Sequence, residues 1–174
     1  MPESIVEATS AADYAAFGLL IRDYLDWLRA RWAERPGLID DIASHQGIDE
    51  ELASLATRYG PPAGRTLLVV VDGTVVGAGA YHDLHDGSCE MKRVFVPDRY
   101  QGHGYGRRLC AALVARATED GYASMLLDTG VLNVEAATMY RSMGFSDRGP
   151  YQDYPPGMVQ HLLFMEKPLT ATAG

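Results

Sequence analysis

Cysteine is scarce. Cys89 and Cys110 are the only two in 174 residues, too few for the disulfide framework that holds small secreted domains together. A reduced, cytoplasmic setting is the default expectation. Long apolar runs are missing too: no stretch approaches the roughly 18 consecutive apolar residues of a membrane span, and the N-terminus lacks the basic start and apolar core of a secretory leader. Membrane insertion and secretion are both disfavoured. Basic charge is in deficit, with 15 Lys+Arg against 23 Asp+Glu and a formal net charge of −8. A polyanion would be repelled at long range, which argues against nucleic acid as the main partner. What remains is an ordinary globular composition, 47 % hydrophobic and 22 % charged, neither disordered nor fibrous. The length suits one domain that buries about two thirds of its unfolded surface.

Ser4 to Ala8 reads as a short edge strand. Ser10-Ala-Ala-Asp13 then resembles a capping box, and Tyr14, Phe17, Ile21, Leu25, Leu28 and Trp32 recur at three or four residues as one helical stripe that Pro36-Gly37 stops. Ile48, Leu52, Leu55 and Tyr59 define a second, shorter helix, with Asp49, Glu50 and Glu51 complementing the dipole in its first turn. From Arg65 the pattern turns to β. Thr66–Val71 and Thr74–Tyr81 flank Asp72-Gly73, a hairpin signal. Further strands are expected over Cys89–Val96, Ser124–Asp128 and His161–Lys167, with helices from the glycine turn to about Asp120 and over Asn133–Met143. This order implies a mixed sheet with helices on its faces. Thr170 to Gly174 reads as a loose tail.

The strongest local signal is Arg99-Tyr-Gln-Gly-His-Gly-Tyr-Gly-Arg-Arg108, where glycines 102, 104 and 106 fall between a strand and a helix. Such a turn lets backbone N–H groups converge beside a helix N-terminus, so a phosphate can be held without side chains. The spacing is neither that of the P-loop nor that of the dinucleotide fingerprint, and a plain tight turn is the alternative. Charge favours the anion cradle: Lys92, Arg93, Arg99, Arg107 and Arg108 against Asp98 give +4 in that stretch, leaving −12 for the rest. An acidic chain keeps one basic spot where phosphates would sit.

With these residues the sequence resembles the GNAT superfamily of acyl-CoA-dependent N-acetyltransferases. Gln101-Gly-His-Gly-Tyr-Gly106 is similar to its pyrophosphate motif, and Asn133-x-x-Ala136-x-x-Met139-Tyr140-x-x-x-Gly144-Phe145 to a second motif downstream at the family's spacing. The resemblance spans roughly residues 65–167. It implies an α/β (α+β) fold with a mixed, mostly antiparallel central sheet and helices on both faces, as a single domain over 1–167 with a C-terminal tail over 168–174. It further implies acetyl-CoA as acyl donor, with no metal. Val94, Phe95 and Val96 would offer backbone groups to the pantetheine amides. Gln101, Gly102, His103, Gly104, Tyr105, Gly106 and Arg107 would hold the pyrophosphate, Asn133 would bind or shape the pantetheine arm, and Tyr140 would act as general acid toward the departing thiolate. Met139 replaces the commoner leucine, a volume-conserving change.

An alkyl amine with a pKa near 10.4 is almost wholly protonated at neutral pH, so something must accept its proton. Glu90 is the candidate base. Period-two alternation places it on the face shared by Lys92, Val94 and Val96, a register that a bulge in this strand would alter; the alternative is a surface carboxylate paired with Lys92 or Arg93. His82, His85, Asp83 and Asp86 fit solvated turn residues better than a metal set. Asp128 fits a turn cap better than a chemical role, Cys110 a buried helix position and Cys89 an inert strand thiol. The expected reaction is direct acetyl transfer to a primary amine of a small molecule. The alternatives are a protein or peptide N-acetyltransferase, which calls for an open groove, and a non-catalytic acyl-CoA sensor. Acidic residues at 40–51 and Asp153 would suit a cationic amine, and the Tyr151–Gly157 loop would wall the acceptor. A homodimer is compatible with the composition, which carries no signature for or against one.

Overall fold

Asp72 and Gly73 both take positive φ, 49° and 76°, the paired left-handed geometry that lets a two-residue turn match the twist of its strands. They join β2 (Gly64–Val71) to β3 (Thr74–Asp83), and β1 (Glu3–Glu7) adds antiparallel to β2 as the outer edge. The structure, a computed structural model, describes residues 3–170. Its sheet has seven strands in the order β1-β2-β3-β4-β5-β7-β6, with β4 Ser88–Phe95, β5 Ser124–Gly130, β6 Ser146–Arg148 and β7 Leu162–Pro168. Only the β4–β5 pair is parallel.

That parallel pair is short. Its register runs from Ser88↔Ser124 to Glu90↔Leu126 and stops, although β4 continues to Phe95 and β5 to Gly130. Beyond Glu90 the two strands therefore part, each leaving one edge of backbone N–H and C=O groups without a neighbour strand. A second irregularity lies on the other edge of β4. Between the pairs Ala80↔Lys92 and Ala78↔Phe95, three steps on β4 oppose two on β3. Arg93 absorbs the extra residue with φ 59°, as a β-bulge requires. The bulge corrects the alternation expected from sequence. Phe95 joins Ala78 and Ala80 in one core cluster, whereas Val94 packs in the other, so Val94 no longer shares a face with Glu90 and Lys92.

Helices cover both faces. On one side α1 (Ala11–Arg31), α2 (Leu38–His45), α3 (Ile48–Ala53) and α4 (Leu55–Tyr59) enclose a core of Phe17, Ile21, Leu25, Leu55, Tyr59 and Leu68. On the other, α5 (Tyr105–Glu119) and α6 (Val134–Ser142) bury Leu109, Cys110, Leu113 and Tyr140 against Met91, Met125 and Met165. The capping box is made: Ser10 Oγ accepts from the Asp13 N–H at 3.1 Å, and Asp13 accepts from the Ser10 N–H at 2.9 Å. Both cysteines are buried and burial pushes each thiol up to about 12, which leaves them inert.

Several boundaries differ from expectation. Helix α1 ends at Arg31, before Pro36. The expected second helix is two, α3 and α4, broken at Ser54, whose hydroxyl donates back to the Glu50 carbonyl at 2.6 Å. Helix α2, edge strand β6 and the one-turn α7 (Pro156–Val159) have no counterpart among the expected elements; eight-, three- and four-residue elements are too short for periodicity to reveal. Pro168 belongs to β7, Leu169 is buried and its N–H donates to the Ala123 carbonyl, so order runs past 167; the tail expected at its far end lies at 171–174, outside the described residues. Among the described residues no helix is long and apolar enough to cross a membrane.

Candidate active site

The parting of β4 and β5 opens a cleft of roughly 620 Å³. One lip is Val94, Phe95 and Val96, and the glycine turn and α5 close its end. Gly102 and Gly104 take φ of +82° and +77°, where any side chain would be strained. Gly104 caps α5 and its carbonyl receives the first helical bond, from Arg108 N–H. The N–H groups of Tyr105, Gly106 and Arg107 thus stand in the first turn without helical partners, aimed outward as an anion nest.

The cationic cluster is dispersed rather than focused. Of its five members only Arg107 lines the cleft, with its guanidinium on Ser142 Oγ at 2.7 Å. Arg93 turns inward to Glu51, Lys92 enters a different cavity, Arg108 pairs with Glu3, and Arg99 stacks over Tyr100. His103 packs edge-on against Tyr105 and does not line the cleft. Gln101 donates to the Val96 carbonyl at 3.0 Å and to Asp98 at 2.9 Å. It ties the turn to the end of β4, and the Val96 carbonyl is already engaged. Helix α1 contributes Tyr24, Trp27 and Arg31 to the opposite wall. These three carried no local signal, since they flank the buried stripe rather than belong to it.

Asn133 occupies the N-cap of α6 but makes no cap bond. Its amide donates to Thr129 Oγ1 at 3.3 Å, and its buried Oδ1 has no partner. A buried acceptor left open costs about 1–3 kcal/mol, and this one lies in the wall of the cleft, where an amide N–H of a bound chain would satisfy it. Free strand edges, an anion nest and an open amide acceptor along one cleft fit a pantetheine pyrophosphate.

Tyr24, Val94, Thr129 and Tyr140 line this cleft and also a second cavity behind it. Burial drives the Tyr140 phenol well above its ordinary value, so it is protonated and a donor throughout the physiological range. The second cavity has apolar walls from Leu28, Trp32, Ile39, Ile42 and Leu162, with Lys92 and Asp128 on its floor. Lys92, Asp128 and Gln46 in turn line a third, polar cavity together with Arg58, His82 and Glu90.

Glu90 is 2 % exposed and accepts from Tyr151 Oη at 2.5 Å, faces His82 Nε2 at 2.8 Å and has Lys92 Nζ 3.9 Å away. Burial works to raise its pKa, but Lys92 and the bonds from His82 and Tyr151 outweigh it and bring it to about 2. Glu90 lines the polar cavity alone, not the one that holds Tyr140. Asp128 lines both. It caps no turn: it accepts from Tyr154 Oη at 3.1 Å and stands 3.8 Å from Lys92 Nζ. Of the acidic stretch at 40–51, Asp40 pairs with Arg29 and only Glu51 reaches the cavity, locked to Arg93 at 2.8 Å.

The family model of the acetyltransferase (GNAT) family matches residues 21–145, which contain both the glycine turn and Tyr140. The chain belongs to that family. Its acyl donor is accordingly acetyl-CoA. An IAA acetyltransferase of Azospirillum brasilense is 42 % identical over 109 residues, covering 62 % of this chain and 70 % of that protein. An uncharacterised N-acetyltransferase of Schizosaccharomyces pombe is 38 % identical over 126 residues, covering 70 % and 77 %. In fold, the chain matches the PaiA N-acetyltransferase of Thermoplasma acidophilum in complex with coenzyme A, with a TM-score of 0.73, 17 % identity, and 97 % and 99 % of the two chains covered.

Proposed function

We propose that this acetyltransferase moves the acetyl group from acetyl-CoA to the primary amine of a small molecule, by direct attack with both substrates bound. The observation that carries this reading is that Tyr140 lines two cavities at once, the cleft suited to the donor and the second cavity that adjoins it. Acetyl-CoA supplies an activated acyl group as a thioester. Val94 and Phe95 would hold its amides, Asn133 Oδ1 its remaining N–H, and the first turn of α5 with Arg107 its pyrophosphate.

As the amine nitrogen forms its bond to the carbonyl carbon, the carbon–sulfur bond breaks, and Tyr140 donates its proton to the leaving thiolate. The proton shed by the amine goes to Asp128, the carboxylate that shares the cavity with Tyr140, directly or through water. Glu90, fully hydrogen-bonded and with its pKa near 2, is a poor proton acceptor and serves to position Lys92 and the Tyr151 loop. The second cavity is walled by apolar side chains of α1, α2 and the start of β7 around a few polar groups, the lining of a small-ligand site, which favours such an acceptor over a protein segment.

A thiol-release screen with acetyl-CoA against small amines and short peptides tests the reading. Release with small amines and loss of that release in Asp128→Asn, with acetyl-CoA affinity retained, is the expected result. Calorimetric binding of acetyl-CoA without thiol release from any acceptor would overturn it.

A further inference from the structure

The polar cavity has an imbalance in how its charges are satisfied. Its buried carboxylates all have partners: Glu51 holds Arg93 and Tyr59 Oη, Glu90 holds His82 and Tyr151, and Asp128 holds Tyr154. Its two cations are held more loosely, Arg58 by the face of the Tyr59 ring at 5.7 Å and Lys92 by two distant carboxylates. Lys92 Nζ stands 3.9 Å from Glu90 and 3.8 Å from Asp128, attracted by both but within good hydrogen-bond reach of neither. Arg58, on α4, forms no ion pair among the described residues, and its Nε is buried without any hydrogen-bond partner. A buried guanidinium N–H left open is costly and rare in a folded protein. A carboxylate is the group that fits its planar fork.

The two acceptor cavities meet where Gln46, Lys92 and Asp128 line both, which gives a junction and two arms. Asp128 and Lys92 lie at the junction, Arg58 lies along the polar arm, and Tyr140 lines the apolar arm with Leu28, Trp32, Ile39, Ile42 and Leu162. An amine, a carboxylate and an apolar group on one carbon would fill the three. We infer that the acceptor is an α-amino acid with an apolar side chain, its carboxylate held by Arg58 and Lys92. This rests on the reading of the site as an amine acetyltransferase and narrows its substrate class.

The test compares each amino acid with its decarboxylated amine: L-leucine with 3-methylbutylamine, and L-phenylalanine with 2-phenylethylamine, by thiol release with acetyl-CoA. The expected kcat/KM ratio is roughly 10- to 100-fold in favour of the amino acids, the range of a charge-assisted pair. Arg58→Met, which keeps the side-chain volume, should bring that ratio close to one through a raised KM for the amino acids, and Arg58→Lys should restore part of it. Thermal unfolding and acetyl-CoA calorimetry on both variants separate this from misfolding. Equal or faster turnover of the decarboxylated amines, a wild-type preference that Arg58→Met leaves in place, or release with polyamines but with none of these four compounds would each overturn the inference while leaving amine acetylation standing. Absence of release with every amine would overturn both.

Discussion

The two regions proposed for the substrates are built in different ways. The donor cleft is made largely of backbone: the open edges of β4 and β5, two left-handed glycines and the first turn of α5. The acceptor cavities are made of side chains brought from α1, α2, α4, β3, β4, β5 and the 151–162 segment. Backbone geometry is dictated by neighbours in sequence, whereas a side-chain constellation depends on the whole fold. A nucleotide-bearing donor can thus be recognised by a short motif, while the acceptor pocket is free to vary residue by residue.

Substitutions and acidity both break or sharpen that contrast. Tyr140→Phe stands at the meeting point and should lower kcat by about 10²- to 10⁴-fold while CoA affinity by calorimetry stays within a few-fold, because the cleft walls remain. In the acceptor half, Arg93→Ala should destabilise the fold by about 3–5 kcal/mol, since it leaves Glu51 charged and buried; a much lower melting temperature is the readout, and Arg93→Met with Glu51→Gln should recover part of it.

Acidity reports on the same region. Glu90 and Glu51 both ionise below their ordinary value, so their contribution to stability is complete above about pH 4.5 and is lost as pH falls toward 2. Chemical denaturation between pH 5 and 2 should show this loss, shallower in Glu90→Gln. In the donor half, Gly104→Ala forces an L side chain into a left-handed cap and should cost about 1–2 kcal/mol. It should weaken CoA binding and leave acceptor discrimination intact, as measured by competition between two amines. Met139→Leu, volume-conserving within the core, should change stability by less than about 1.5 kcal/mol and define the lower end of the scale.

The legibility of the sequence follows the same division. The hairpin, the glycine turn, α5, α6 and the strand end that lines the cleft were all visible, because each rests on local periodicity or on a glycine that permits a positive φ. Excess positive charge marked the right segment but for only part of the right reason: the nest is backbone, and four of the five cations serve other contacts. Glu90 stood out by its place on β4, yet what determines its protonation, namely His82, Lys92 and Tyr151, comes together only in the folded chain. Tyr24 and Arg58 carried no pattern at all, and Asp128 read only as a turn cap. Tyr24 meets Phe95, Asp128 meets Lys92 and Tyr154, and Arg58 lines a cavity, none of which a local rule describes.

The single positive φ at Arg93 has a reach beyond its own residue. Because three positions on β4 face two on β3 there, the strand changes parity in mid-course: Glu90 and Lys92 are counted toward one substrate, Val94 toward the other. Length between residues 90 and 95 is therefore a stricter requirement than identity. Removing one residue would restore plain alternation and return Val94 to the face of Glu90 and Lys92, with every side chain still chemically intact.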